Sequence, residues 1–178
     1  MSEKILSRKQ VYEGRIMRVE VRAIELAGGR RSTRELICHP GAVVVLAERP
    51  DGCFVLVRQY RAAVEAELLE MIAGTLEPGE PPEEAARRET EEESGYRVES
   101  LRPLGVIIPC PGYSSEKLHC FHARVGQHPG ASRPDFDESV AGVVMTRAEI
   151  EEAIAGGRLQ DAKSIAIWHL GRQGAAAP

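Results

Sequence analysis

The stretch Gly74–Tyr96, GTLEPGEPPEEAARRETEEESGY, reads as a loop, a helix and a stop. Prolines fit the first turn of a helix, where no backbone N–H is needed, and Glu83 and Glu84 fall at the positive end of the helix dipole. Gly95 is placed to end the helix predicted over residues 81–94. Glu89, Glu92 and Glu93 are three and four apart, so they lie close to one face while Glu91 points elsewhere. Stepping back from Glu89 reaches Ala85 and Ala86, the only packing face this helix offers. Carboxylates bordering a core need compensation. Two sources exist: Arg87 and Arg88 alongside, or a divalent cation held by several oxygens, which suits hard Mg2+. An acidic run on a helix is more often a wetted surface, so its context decides.

Ahead of this stretch, GAVVVLAE and CFVLVRQY are β-branched runs joined by Arg49-Pro50-Asp51-Gly52, whose Asp-Gly pair favours a tight hairpin. Residues 10–38 read as extended segments, QVYEGRIMRVEVRAIEL and RSTRELICH, broken at Ala27-Gly28-Gly29-Arg30. Beyond Tyr96, strands are predicted at 97–108, 117–125 and 140–145. Thr146 with Glu149 makes a capping box for a helix through RAEIEEAIA, stopped by Gly156-Gly157. A last helix fits DAKSIAIWHLGR, with Ile165, Ile167, Trp168 and Leu170 as its apolar side. Strands before and between helices predict an α/β fold, an α/β/α sandwich around a mixed β-sheet. A small N-terminal antiparallel β element, residues 1–38, precedes the main domain, residues 39–178.

The 178 residues, 43% hydrophobic and 28% charged, suit one globular domain with a small added element. A formal charge of -4 argues against a nucleic-acid partner, which would demand clustered Lys and Arg. No run approaches a membrane span, and the N-terminal MSEKILSRKQVYEG has no apolar leader core, so a cytoplasmic protein is expected. Cys38, Cys53, Cys110 and Cys120 match neither a paired metal site nor a disulfide framework and are read as reduced thiols. In LHCFHARV, His119 and His122 sit on opposite faces of a strand, so neither is read as a metal ligand.

Gly74, Glu80, Arg88, Glu89, Glu92, Glu93 and Gly95 together resemble the box of the Nudix hydrolase superfamily at all seven of its fixed positions. A chance match in a chain this long is on the order of one in a million. The resemblance implies the Nudix-type sandwich, with Glu89, Glu92 and Glu93 and the backbone carbonyl of Ala73 holding Mg2+, or Mn2+ in its place. It further implies that Arg88 orients a metal-binding glutamate and that Glu80 is a structural partner in the loop. Thr90 stands where the family usually has an aliphatic residue, a departure expected to weaken packing slightly. A diphosphate bridge is a poor electrophile ringed by negative oxygens, which is why divalent ions are useful to neutralise it and activate water.

The flanks are similar to the ADP-ribose pyrophosphatase branch of that superfamily, from about residue 35 to residue 172. Glu70, Ala73 and Gly74 lead into the box as they do there. Pro111 and Gly112 in PCPGYSSEKLHCFHA resemble its Ser-Pro-Gly and Ser-Glu segment, with Cys110 replacing the Ser. AGGRLQDAKSIAIWHL resembles its glycine turn and closing helix. This implies that Pro111, Gly112 and Glu116 meet substrate, that Arg61 in VRQYRAAV reaches its diphosphate, and that the leading strands embrace a second subunit in a homodimer. The general base of the branch lies in an acidic loop, here RPDFDESVAGVV, where Phe136 occupies the usual position. Glu138 is taken as the base, with Asp135 and Asp137 in reserve, beside Arg88 and Glu92 in the catalytic set. Hydrolysis of ADP-ribose to AMP and ribose 5-phosphate is the expected reaction. A broader nucleoside diphosphate sugar hydrolase and a catalytically silent nucleotide sensor are the alternatives.

Overall fold

The computed structural model describes residues 3–131 and 140–173 and divides into two compact units. One runs up to Gly41 and includes Ile108–Lys117; the other holds Ala42–Ile107 and the chain from Leu118 onward. The inserted Ile108–Lys117, which chain order places in the main domain, thus groups with the N-terminal element.

The first unit is a three-stranded antiparallel sheet of β1 (Lys4–Glu13), β2 (Arg18–Glu25) and β3 (Arg31–Cys38), in that order. The turn between β2 and β3 needs left-handed backbone at Gly28 and Gly29, φ 82° and 76°, which glycine adopts without steric cost. Every residue of β1 is exposed, including Val11 and Tyr12. Ile37 at the end of β3 exchanges backbone hydrogen bonds with Tyr113 and Ser115, tying the inserted segment to this sheet.

The second unit is a mixed six-stranded sheet in the order β7 (Val98–Ile107), β8 (Leu118–Val125), β4 (Ala42–Glu48), β6 (Ala66–Thr75), β5 (Phe54–Arg61), β9 (Val140–Met145). Only β4 and β8 pair in parallel. The predicted β4–β5 turn is present, with Gly52 at φ 79° and Asp51 accepting from the Cys53 backbone N–H. Strand alternation sends Val43, Val45 and Ala47 to one face, against Ala85 and Ala86 of α1 (Pro82–Ser94). Val44 and Leu46 face the other way, against Ile150 and Ala153 of α2 (Arg147–Ala155) and Ile167 and Trp168 of α3 (Ala162–Gln173). The sheet is therefore covered on both faces, an α/β/α sandwich.

The capping box at Thr146 is formed on both sides. One expectation for α3 is corrected: Ile165 is exposed. The packing side is Ser164, Ile167, Trp168 and Gly171, the i, i+3, i+4, i+7 set, because Gly171 has no Cβ to strike Leu46.

Candidate active site

Helix α1 starts from Pro81 with no side-chain cap, uses Pro82 in its first turn and ends at Gly95, φ 73°, whose N–H donates to Glu91 O. Ala85 and Ala86 let it approach the sheet closely, and the same side brings Glu93 to 4% exposure. Thr90 is fully buried in place of an aliphatic residue, and its hydroxyl is satisfied by donating to Ala86 O at 2.6 Å.

Arg88 organises the acidic side. Its Nε and Nη2 donate to the two oxygens of Glu80 at 2.8 and 2.9 Å, while Nη1 donates to Glu89 at 2.8 Å and Glu92 at 3.0 Å. Glu80 in turn accepts from the Glu77 backbone N–H, so the loop before α1 closes on the arginine. These bonds, Arg88 first, hold the Glu80 carboxyl below its ordinary pKa, and the same pairing with Glu80 raises Arg88. One guanidinium thus serves three carboxylates.

The strand beneath supplies the rest. Ala73 pairs with Val44, and its N–H donates to Glu93 at 3.4 Å. A Cβ on the neighbouring Gly74 would overlap the Glu89 carboxylate, so this glycine is a cradle rather than a turn residue. Among the described residues no three His, Cys, Asp or Glu side chains form a ready metal cluster. Glu89 and Glu92 are turned onto Arg88, which occupies the position a cation would compete for. All-oxygen donors, an excess of negative charge and the bare Gly74 nonetheless fit a hard divalent ion.

Arg61 ends β5 and is half-buried. Two of its three guanidinium nitrogens, Nε and Nη2, each donate to Glu70 at 2.7 Å, a fork-to-fork pair. Glu70 is 1% exposed and also accepts from Lys163, which lies 3.0 Å from Asp161. Burial would raise the Glu70 pKa, but Arg61 and Lys163 together outweigh it and the net direction is down. Arg61 also feels the charge of Glu93, which links this network to α1. Lys163 and Asp161 escaped sequence reasoning, since a cation 93 residues from its carboxylate leaves no periodic signal.

Pro111, Gly112 and Glu116 belong to the first unit. Ser114 N–H donates to Cys110 O at 2.8 Å, shaping the turn, and the Glu116 side chain lies 3.7 Å from His39 Nδ1. Glu138, Asp135 and Asp137 lie outside the described residues. His119 and His122 occupy opposite faces of β8, and His122 is bonded to Glu48 at 2.7 Å.

Comparison with known proteins matches residues 39–166 to the NUDIX domain model. The chain is 37% identical to the methanol dehydrogenase activator of Bacillus methanolicus, over 94% of this chain and 92% of that one. It is 35% identical to the ADP-ribose pyrophosphatase of Bacillus subtilis (strain 168), over 96% and 93%. A crystal structure of an ADP compounds hydrolase superposes with a TM-score of 0.84 at 26% identity, covering 97% of this chain and 94% of the other.

Proposed function

Because the chain belongs to the NUDIX domain family, we propose that it hydrolyses ADP-ribose to AMP and ribose 5-phosphate, with Mg2+ as its metal. The observation that carries this reading is the acidic side of α1: Glu89 lies against the bare Gly74, Arg88 is shared by Glu89 and Glu92, and the buried Glu93 accepts from the Ala73 N–H. The likeness to an ADP-ribose pyrophosphatase over nearly the whole chain supports the substrate.

In this proposal Glu89, Glu92 and Glu93, with the Ala73 carbonyl, would hold a divalent ion. When bound, the ion neutralises the diphosphate and polarises it towards attack. Arg88 is a positioning residue that keeps the carboxylates aimed. Arg61 presents its free edge to the diphosphate, fixed in orientation by Glu70; Pro111, Gly112 and Glu116 meet the remainder of the substrate. A water oxygen bonds to one phosphorus, the bridging P–O bond breaks, and the bridge oxygen departs with the other phosphate. The water proton passes to Glu138, or to Asp135 or Asp137.

The exposed β1, with Val11 and Tyr12 outward, supports a homodimer built on the N-terminal sheet, and light scattering gives its mass. Among the described residues no helix is long and apolar enough to cross a membrane. Four free thiols support a cytoplasmic location.

Chromatography of products from ADP-ribose, ADP-glucose, GDP-mannose, NADH and diadenosine polyphosphates with Mg2+ tests the substrate. ADP-ribose should turn over fastest; a sugar nucleotide far ahead of it overturns the assignment.

A further inference from the structure

We propose that the second unit carries another ligand site, for a small phosphate monoester, in the cavity between α3 and the far ends of β4, β7 and β8. The cavity measures about 370 Å³, within the usual range for small-molecule pockets and larger than a bare phosphate needs. It lies on the sheet face opposite α1. Along β4, Glu48 at the cavity is five residues from Val43, the partner of Gly74, which is about 17 Å of strand.

Arg102, Arg124, Arg147 and Arg172 all line it, and among the described residues Glu48 is the sole lining carboxylate. Glu48 is already engaged, accepting from His122 Nε2 at 2.7 Å and lying 3.6 Å from Arg124; Glu151 takes Arg172 at 3.4 Å. Since Nε2 of a neutral His122 must donate to Glu48, Nδ1 is left as the acceptor facing Arg102 at 3.5 Å. Among the described residues, Arg102 and Arg147 form no ion pair with a carboxylate. Two positive charges thus lack a carboxylate partner among the described residues, which matches the dianion of a phosphate monoester better than a single carboxylate.

The floor points the same way. Arg147 sits 5.6 Å from the Phe54 ring centre and 5.2 Å from that of Trp168, so the two rings hold the cation in place without using its N–H donors, which are left for a ligand. Trp168 lines the cavity at 3% exposure, and its buried indole Nε1 finds no acceptor among the described residues. An unsatisfied buried donor calls for a partner.

The inference is independent of the catalytic reading and is tested with a chelator present. Trp168 is the only tryptophan, so its fluorescence reports the cavity directly. Ribose 5-phosphate and inorganic phosphate are titrated in EDTA, against ribose and sodium chloride at matched ionic strength, with calorimetry as the second readout. A saturable response to a phosphate, with Kd raised roughly tenfold or more in Arg102→Gln and in Arg147→Gln, is expected, since each removes a charge-assisted bond. Tighter binding of the sugar phosphate identifies an esterified ligand, and equal binding identifies the phosphoryl group alone; both support the site. No saturable response by either readout, or unchanged affinity in both variants, overturns it.

Discussion

Two charged networks stand on the same unit and use the same residue types to opposite ends. Around Glu70, one buried carboxylate meets Arg61 and Lys163, and Asp161 balances the second cation. Around Arg88, one guanidinium meets Glu80, Glu89 and Glu92, with Glu93 buried beside them. The first is neutral within itself, ties β5 and β6 to α3 and fixes the orientation of Arg61. The second is left negative, and a surplus held near a core is stable only if something outside the chain completes it. Charge balance, more than charge density, separates the network that is complete without a ligand from the one that calls for a metal.

The comparison breaks most clearly at Glu93. Glu93→Gln keeps the shape of the side chain but removes a charge that a divalent ion needs, so turnover should fall by roughly three orders of magnitude while the melting transition without metal hardly moves. Turnover within about threefold of the unaltered protein would falsify the role.

Glu70→Ala should act the other way, on stability before catalysis. It strands Arg61 beside a buried site and leaves Lys163 with Asp161 alone, so urea unfolding should show a loss of about 3–5 kcal/mol. A loss below about 1 kcal/mol would mean that the pair is wetter than its burial indicates.

Mg2+ should stabilise the unaltered protein and not Glu93→Gln. At a hundred times Kd the gain is about 2.7 kcal/mol, read as a rise in melting temperature that EDTA reverses. Equal shifts in both proteins would place the ion elsewhere. Gly74→Ala sharpens the same point, because its Cβ displaces the Glu89 carboxylate; metal affinity should fall on the order of tenfold with the fold retained.

The smallest effect is acid sensitivity. The folded pKa of Glu70 lies below its ordinary 4.5, so its stabilising contribution is complete above that value and is lost as pH falls through the lowered one. Glu70→Gln should therefore flatten the decline of stability below about pH 4.5, measured as urea midpoints across that window. An unchanged slope would assign the acid response to other carboxylates, Glu80 among them.

Much of the fold was legible because its signals are local. The Asp51-Gly52 turn and the Thr146–Glu149 box each depend on neighbours within a few residues, and both are present. Ile165 was misplaced because α3 packs on Ser164 and Gly171, small residues that an apolar count passes over. For Arg61 the resemblance implied a reach to the diphosphate, while its forked pair with Glu70 was not legible. Its partner Glu70 sits across the β5–β6 hairpin, and nothing in the spacing announces a forked pair.

By itself the sequence determined the layered fold and the metal-binding side of α1, because spacings of three and four on a helix put carboxylates together whatever surrounds them. Only the tertiary structure decided how those charges are balanced. Lys163 reaches Glu70 across 93 residues, and the arginines of the distal cavity come from two strands and two helices. Such meetings depend on sheet order and helix placement, which no local pattern encodes.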